Sequence, residues 1–117
     1  MLEALALAIM PICPASGVRI TCVHDGDSIV VERERIRLAD IDTPELDGRC
    51  AYESRLAIRA RDRLAQILSD GFQIHREGED RYGRTLAIVT VNGRSAGDML
   101  VAEGLARTWS GRREPWC

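Results

Sequence analysis

Lysine is missing from this 117-residue chain altogether, and aromatic residues make up only 4% of it. All sixteen strong cations are therefore arginines. Arginine grips phosphate and carboxylate as a planar fork, whereas lysine acts as a point charge. The net charge of −2 argues against a protein that coats nucleic acid through a global basic field. Scarce aromatics leave the core to Leu, Ile, Val and Ala. No apolar run is long enough to cross a bilayer, so no membrane span is expected. There is no Cys-x-x-Cys pair, and His24 and His75 lie far apart, which argues against a structural zinc site.

The length is that of one domain with a modest core. The four cysteines, Cys13, Cys22, Cys50 and Cys117, are an even set that suits two disulfides. Three connectivities are open. A Cys13–Cys22 bridge would close a short loop, and a Cys50–Cys117 bridge would tie the end of the sequence to its middle. Either implies an oxidising compartment, secreted or periplasmic. Residues 1–17 are set apart as an apolar arm or a signal-peptide remnant. The run Leu5–Met10 resembles the hydrophobic part of an export signal, but Glu3 stands where a basic residue belongs, and Pro11 and Pro14 break the run.

Residues 18–117 form the expected domain. Val18–Val23 predicts a first strand, Asp25-Gly26-Asp27 a turn and Ser28–Val31 a second strand. The next turn falls near Glu32-Arg33-Glu34, which lacks the usual Gly or Asn, so a left-handed Arg33 with strain of about 1 kcal/mol is expected there. Arg35–Asp42 predicts a third strand. Ala51–Leu68 is the clearest helix, with Leu56, Ala57, Ala60, Leu64, Ile67 and Leu68 on one stripe and Gly71 just beyond its end. Phe72–Arg76 and Thr85–Val91 predict two further strands, and Asn92-Gly93 a tight turn. Ser95 and Asp98 resemble a capping box opening a helix over Ala96–Glu103, closed by Gly104. This order fits an α+β, mainly β, five-stranded Greek-key barrel of the OB type with two to three helices. Its binding loops would be Asp25-Gly26-Asp27 and Glu77–Arg84.

The segment Arg35–Glu45 concentrates chemistry. Pro44 ends the strand and holds Thr43 extended. Asp42, the Thr43 carbonyl and Glu45 then share one corner, half of a hard-cation site. Asp25-Gly26-Asp27-Ser28 does not open an EF-hand, because Val30 and Ile36 occupy the positions that need Gly and Glu. Asp27, Asp42 and the Thr43 carbonyl could hold a cation, Glu45 could take a proton from water, and Arg37 and Arg84 could clamp phosphoryl oxygens. That set suits phosphodiester hydrolysis.

Asp25-Gly26-Asp27-Ser28, Arg37-Leu38-Ala39-Asp40-Ile41-Asp42-Thr43-Pro44-Glu45 and Asp80-Arg81-Tyr82-Gly83-Arg84 resemble, in that order, the signature segments of the thermonuclease (staphylococcal nuclease-like) family. The similarity continues through Gly97–Arg107. The resemblance implies an OB-fold, Ca²⁺-dependent nuclease acting on DNA and RNA, with Mg²⁺ or Mn²⁺ as alternative ions and single strands preferred. It places metal ligands at Asp27, Asp42 and Thr43, and catalytic roles at Arg37, Glu45 and Arg84. Tyr82 matches a residue lining the nucleotide pocket. Trp109 stands near the family's base-stacking tyrosines, and Asp25 and Asp40 are expected beside the metal ligands. The family's lysine-rich loop has no counterpart here. A monomer is expected. The alternative is a catalytically silent nucleic-acid-binding module on the same barrel.

Overall fold

Chain order alone puts three strands before the long helix. In the computed structural model, which describes residues 9–117, they are β1 (Cys22–Asp25), β2 (Ser28–Val31) and β3 (Glu34–Leu38). There follow β4 (Ile41–Asp42), α1 (Ala51–Leu68), β5 (Gln73–Glu79), β6 (Thr85–Val91), β7 (Arg94–Ser95), α2 (Ala96–Ala102) and β8 (Arg107–Thr108). The main sheet runs β1-β2-β3-β6-β5, with β7 paired to β6, and β3 and β6 are parallel. Among the described residues no ladder joins β1 to β5, so this OB-like sheet is open. A second small sheet pairs β4 with β8.

Three boundaries differ from expectation. The first strand starts at Cys22 rather than Val18. Val18 and Ile20 are exposed, and this stretch serves the β2–β3 turn instead. Ile20 O accepts from Arg33 N at 2.8 Å, and Thr21 Oγ1 accepts from Glu32 N at 3.0 Å. Those bonds offset the strain of two left-handed residues, Glu32 at φ 48° and Arg33 at φ 71°. The expected third strand splits at Ala39–Asp40. Ala39 N still bonds Ala87 O of β6, and β4 then leaves the main sheet for β8. The break resets the alternation, so Leu38 and Ile41 are both fully buried instead of facing opposite sides. The expected strand Phe72–Arg76 is displaced toward the C-terminus, as Gln73–Glu79.

Burial follows the expected helical stripe. Leu56, Ala57, Ala60, Leu64, Ile67 and Leu68 of α1 all face the core, and α1 packs on β1 and on α2. Val23, Ile29, Ile36 and Leu38 meet them from the sheet. Ser95 caps α2 by accepting from Asp98 N at 3.0 Å. Disulfides join Cys13 to Cys22 and Cys50 to Cys117. Residues 11–13 lie parallel to Val23, with Cys13 N on Val23 O at 2.9 Å and Val23 N on Pro11 O at 2.8 Å. Met10 is buried and its N–H donates to Ser69 Oγ. This part of the 1–17 arm therefore packs on the domain, while most of the run Leu5–Met10 that suggested an export signal lies outside the described residues.

The β1–β2 turn needs glycine for space. A Cβ on Gly26 would stand 2.9 Å from Ala60 Cβ and 2.9 Å from Thr43 Cγ2, neither of which can swing aside. Gly26→Ala should therefore lower stability by roughly 1–3 kcal/mol in urea unfolding. An unchanged midpoint would show that the turn is not wedged between α1 and Thr43.

Candidate active site

Two chain corners converge at one rim of the sheet. The β1–β2 turn carries Asp25 and Asp27. Asp27 N donates to Asp25 Oδ1 at 3.3 Å, and Asp27 O accepts from Leu38 N at 2.8 Å, which locks the turn to β3. The break after β3 swings β4 round so that Asp42 enters the same region, followed by Thr43 and Glu45. Asp25, Asp27, Asp42 and Thr43 are 8%, 6%, 2% and 1% exposed. Charged groups that deep require partners.

Two arginines answer the acids. Arg37 Nη2 lies 3.6 Å from Asp27 Oδ2. Its Nη1 donates to Leu38 O at 2.5 Å and to Ile41 O at 3.1 Å, and its guanidinium sits 5.2 Å from the centre of the Trp109 ring. Arg37 is thus held on main-chain carbonyls and an indole face. The second is Arg113. Its Nη1 is 2.9 Å from Asp42 Oδ1, and its Nη2 donates to Thr43 O at 3.1 Å and pairs with Glu45 Oε2. The Asp42 contact is an ion pair without hydrogen-bond alignment, because neither buried Asp42 oxygen has a hydrogen-bond partner.

Burial, and then the neighbouring Asp27, push the Asp25 carboxyl up to about 8. Burial also raises Asp42 and Glu45, opposed in both by Arg113 and reinforced by Asp27. A carboxylate raised in this way is a better proton acceptor near neutral pH. Glu53 moves the other way. Its carboxylate accepts from Glu45 N at 2.9 Å and Arg49 N at 3.1 Å, and the first of these bonds is the largest cause of its lowered pKa.

Other predicted residues fall elsewhere. The Arg84 guanidinium pairs with Asp80 at 2.8 Å and stacks over Tyr82 at 5.8 Å. Among the described residues it makes no ion pair or hydrogen bond with Asp27, Asp42 or Glu45. Tyr82 is exposed on the β5–β6 loop, and Trp109 lies at the site against Arg37 rather than as a free platform. Asp40 turns away from the other acids. Its Oδ2 accepts from Ser95 Oγ at 2.5 Å, so it docks the start of α2. Sequence reasoning missed Glu53 and Arg113. Glu53 lies three and four residues before Leu56 and Ala57 on the buried stripe of α1, and an acid on that stripe was the available signal. For Arg113 the signal was the Cys50–Cys117 pairing, which returns residues 109–117 to the Glu45 corner.

The donor set tests well against a hard cation. The Asp42 oxygens, which accept no hydrogen bond, the Asp27 carboxylate and the Thr43 carbonyl are all oxygen donors, with Arg113 standing on Asp42 Oδ1 and Thr43 O in place of a cation. Among the described residues no three acidic, histidine or cysteine side chains close on one point as a finished cage, so water would complete the shell.

A family model described as staphylococcal nuclease homologue matches residues 35–115. The chain belongs to this family. The match to the staphylococcal nuclease homologue family spans Arg37, Asp42, Thr43, Glu45, Tyr82, Arg84 and Trp109, and also Glu53 and Arg113. The chain is similar to a thermonuclease of Staphylococcus intermedius, 34% identical over 100 residues, covering 73% of this chain and 55% of that protein. It is 47% identical over 72 residues to a micrococcal nuclease of Shigella flexneri, covering 57% and 38%. It is 30% identical over 96 residues to a thermonuclease of Staphylococcus hyicus, covering 76% and 57%. The chain thus spans 38% to 57% of the length of these relatives.

The pKa shifts set a pH dependence. An unfolded Asp titrates near 3.8 and folded Asp25 near 8, so the folded state binds the extra proton between those values. Stability in chelator should then fall as pH rises from about 5 toward 8, with Asp42 and Glu45 contributing in the same sense, while the lowered Glu34, Glu53, Asp80 and Glu103 oppose it below about 5. His24, lowered by burial and Arg19, opposes this only below the ordinary imidazole range. Thermal melts should show this decline, and Asp25→Asn should flatten it. A wild-type melting temperature that climbs across the window would contradict the buried acid cluster.

Proposed function

We propose that the protein hydrolyses phosphodiester bonds of DNA and RNA, preferring single strands, with Ca²⁺ as its cofactor and Mg²⁺ or Mn²⁺ as alternative hard cations. The observation that carries this reading is the buried Asp42 carboxylate, which accepts no hydrogen bond and is ion-paired with Arg113 through one oxygen, set beside Asp27, the Thr43 carbonyl and the raised Glu45 carboxylate. Asp27, Asp42 and the Thr43 carbonyl would hold the cation. When bound, it supplies positive charge that lets an anionic phosphodiester approach the acids and polarises the phosphoryl group.

The chain's own groups do the rest. Glu45 takes a proton from the attacking water, and its position is set by Glu53, which holds the Glu45 main-chain N–H. Arg37 is preorganised on Leu38 O and Ile41 O, leaving donors of its fork for a non-bridging oxygen as charge grows there. Arg84 supplies the second guanidinium by exchanging Asp80 for the phosphate, a swing available to a side chain on the β5–β6 loop. Trp109 and Tyr82 line the approach for a base. The two disulfides suit a secreted or periplasmic monomer. The pairing of Arg84 with Asp80 is the one feature that favours the silent binding-module reading, in which a strand is held and not cut.

Incubating the oxidised protein with single-stranded DNA separates these readings. Cleavage should require Ca²⁺ or another hard divalent ion and stop on adding chelator. Glu45→Gln should lower kcat by about 10² or more. Cleavage that survives chelator, or an undiminished rate for Glu45→Gln, would overturn the proposal.

A further inference from the structure

The face of the β2–β3 ladder turned away from the core has a second concentration of charge. Directly paired residues share a face, so Ser28 with Arg37 and Val30 with Arg35 line one side. Arg35 therefore lies one pleat repeat, about 6.7 Å, along β3 from Arg37. A cavity of about 470 Å³ opens on this side, lined by Arg19, His24, Ser28, Arg33, Arg35 and Arg84, and by no carboxylate among the described residues.

Neutral groups hold two of these arginines. Arg35 donates to Tyr82 O at 2.7 Å, and Arg19 donates to Pro14 O at 2.9 Å and lies 3.0 Å from His24 Nδ1. Such anchors fix a guanidinium without cancelling its charge. Arg33 sits on the tip of the left-handed β2–β3 turn, a backbone position held by Ile20 O. Among the described residues, Arg84 is the one of these four arginines engaged by an acid, Asp80. Four cations converge here from the arm before β1, the β2–β3 turn, β3 and the β5–β6 loop, in a protein of net charge −2.

We infer that this cavity is an anion subsite for backbone phosphates of the nucleic-acid strand next to the cleaved one, gripped by Arg19, Arg33 and Arg35. The inference rests on the phosphodiester reading of the adjoining acids. A strand is favoured over a lone phosphate because the guanidiniums are spread over several elements and continue the row begun by Arg37.

The test is fluorescence anisotropy of a labelled twelve-nucleotide oligo-dT against salt, on full-length oxidised protein carrying Glu45→Gln so that the strand stays intact. Arg33→Asn with Arg35→Gln should weaken binding about tenfold or more at low salt. It should also reduce the slope of log K against log salt by roughly 1.4, about 0.7 for each single-strand phosphate no longer neutralised. Arg33→Asn suits the left-handed turn, and Arg19→Gln, on another segment, repeats the test should that pair disturb the fold. Arg59→Gln on exposed α1 is the control and should leave the slope unchanged. With Glu45 intact, cleavage of a dinucleotide should be insensitive to Arg33→Asn/Arg35→Gln while cleavage of the twelve-mer falls. A slope equal to the parent's in both variants overturns the inference. Competition by inorganic phosphate at concentrations that leave ionic strength unchanged would assign the cavity to a lone anion and overturn it too. If no nucleic acid is cut under any condition, the phosphodiester reading fails, and the anisotropy slope still decides whether these arginines hold a strand.

Discussion

Three carboxylates buried at one rim of a small sheet are the constraint around which this molecule is arranged. Asp27 raises the cost of ionising both Asp25 and Asp42, and burial removes the water that would screen them. Folding accommodates that by leaving the proton on Asp25 up to about pH 8 and by bringing cations in close to the others. Arg37 supplies one from within the sheet, and its position depends on two carbonyls that the β3–β4 break leaves free. Arg113 supplies the other from a segment seventy residues further along. Asp42 nevertheless keeps both oxygens without a hydrogen bond, the mark of a group shaped for something other than stability.

The covalent frame explains how Arg113 reaches its place. Cys50 immediately precedes α1, and its bridge to Cys117, 67 positions on, is worth about 4 kcal/mol in a chain-entropy account. Arg107 adds a second clasp, with its guanidinium 3.7 Å from the Trp116 ring centre and a bond to Pro115 O. Residues 109–117 are thereby drawn across the corner that Glu53 also holds, through Glu45 N and Arg49 N. Arg113 thus occupies Asp42 Oδ1 and the Thr43 carbonyl, the oxygens for which a bound cation would compete.

Much of this was legible in the residues. The α1 stripe, the Ser95 cap and the Asn92-Gly93 turn are local, and local signals survive folding. So did the corner at Asp42-Thr43-Pro44, because proline fixes it. What escaped was set at a distance. The apolar alternation shifts phase between Leu38 and Ile41, but a phase shift alone does not say that β4 would leave for β8. The left-handed Glu32 and Arg33 looked unsupported because Ile20 and Thr21, which support them, read as strand. Arg84 shares a motif with Tyr82, yet its guanidinium rests on Asp80, four residues back, a pairing that motif order does not encode. Arg113 stands in a polar run with no pattern of its own.

The claim beneath all of this is that the buried acids exist to hold a hard cation. Calorimetric titration of Ca²⁺ into the oxidised protein, with no nucleic acid present, addresses it directly. The account predicts one binding event, lost in Asp42→Asn and tightened in Arg113→Ala. Ca²⁺ binding to Asp42→Asn with wild-type affinity would contradict it.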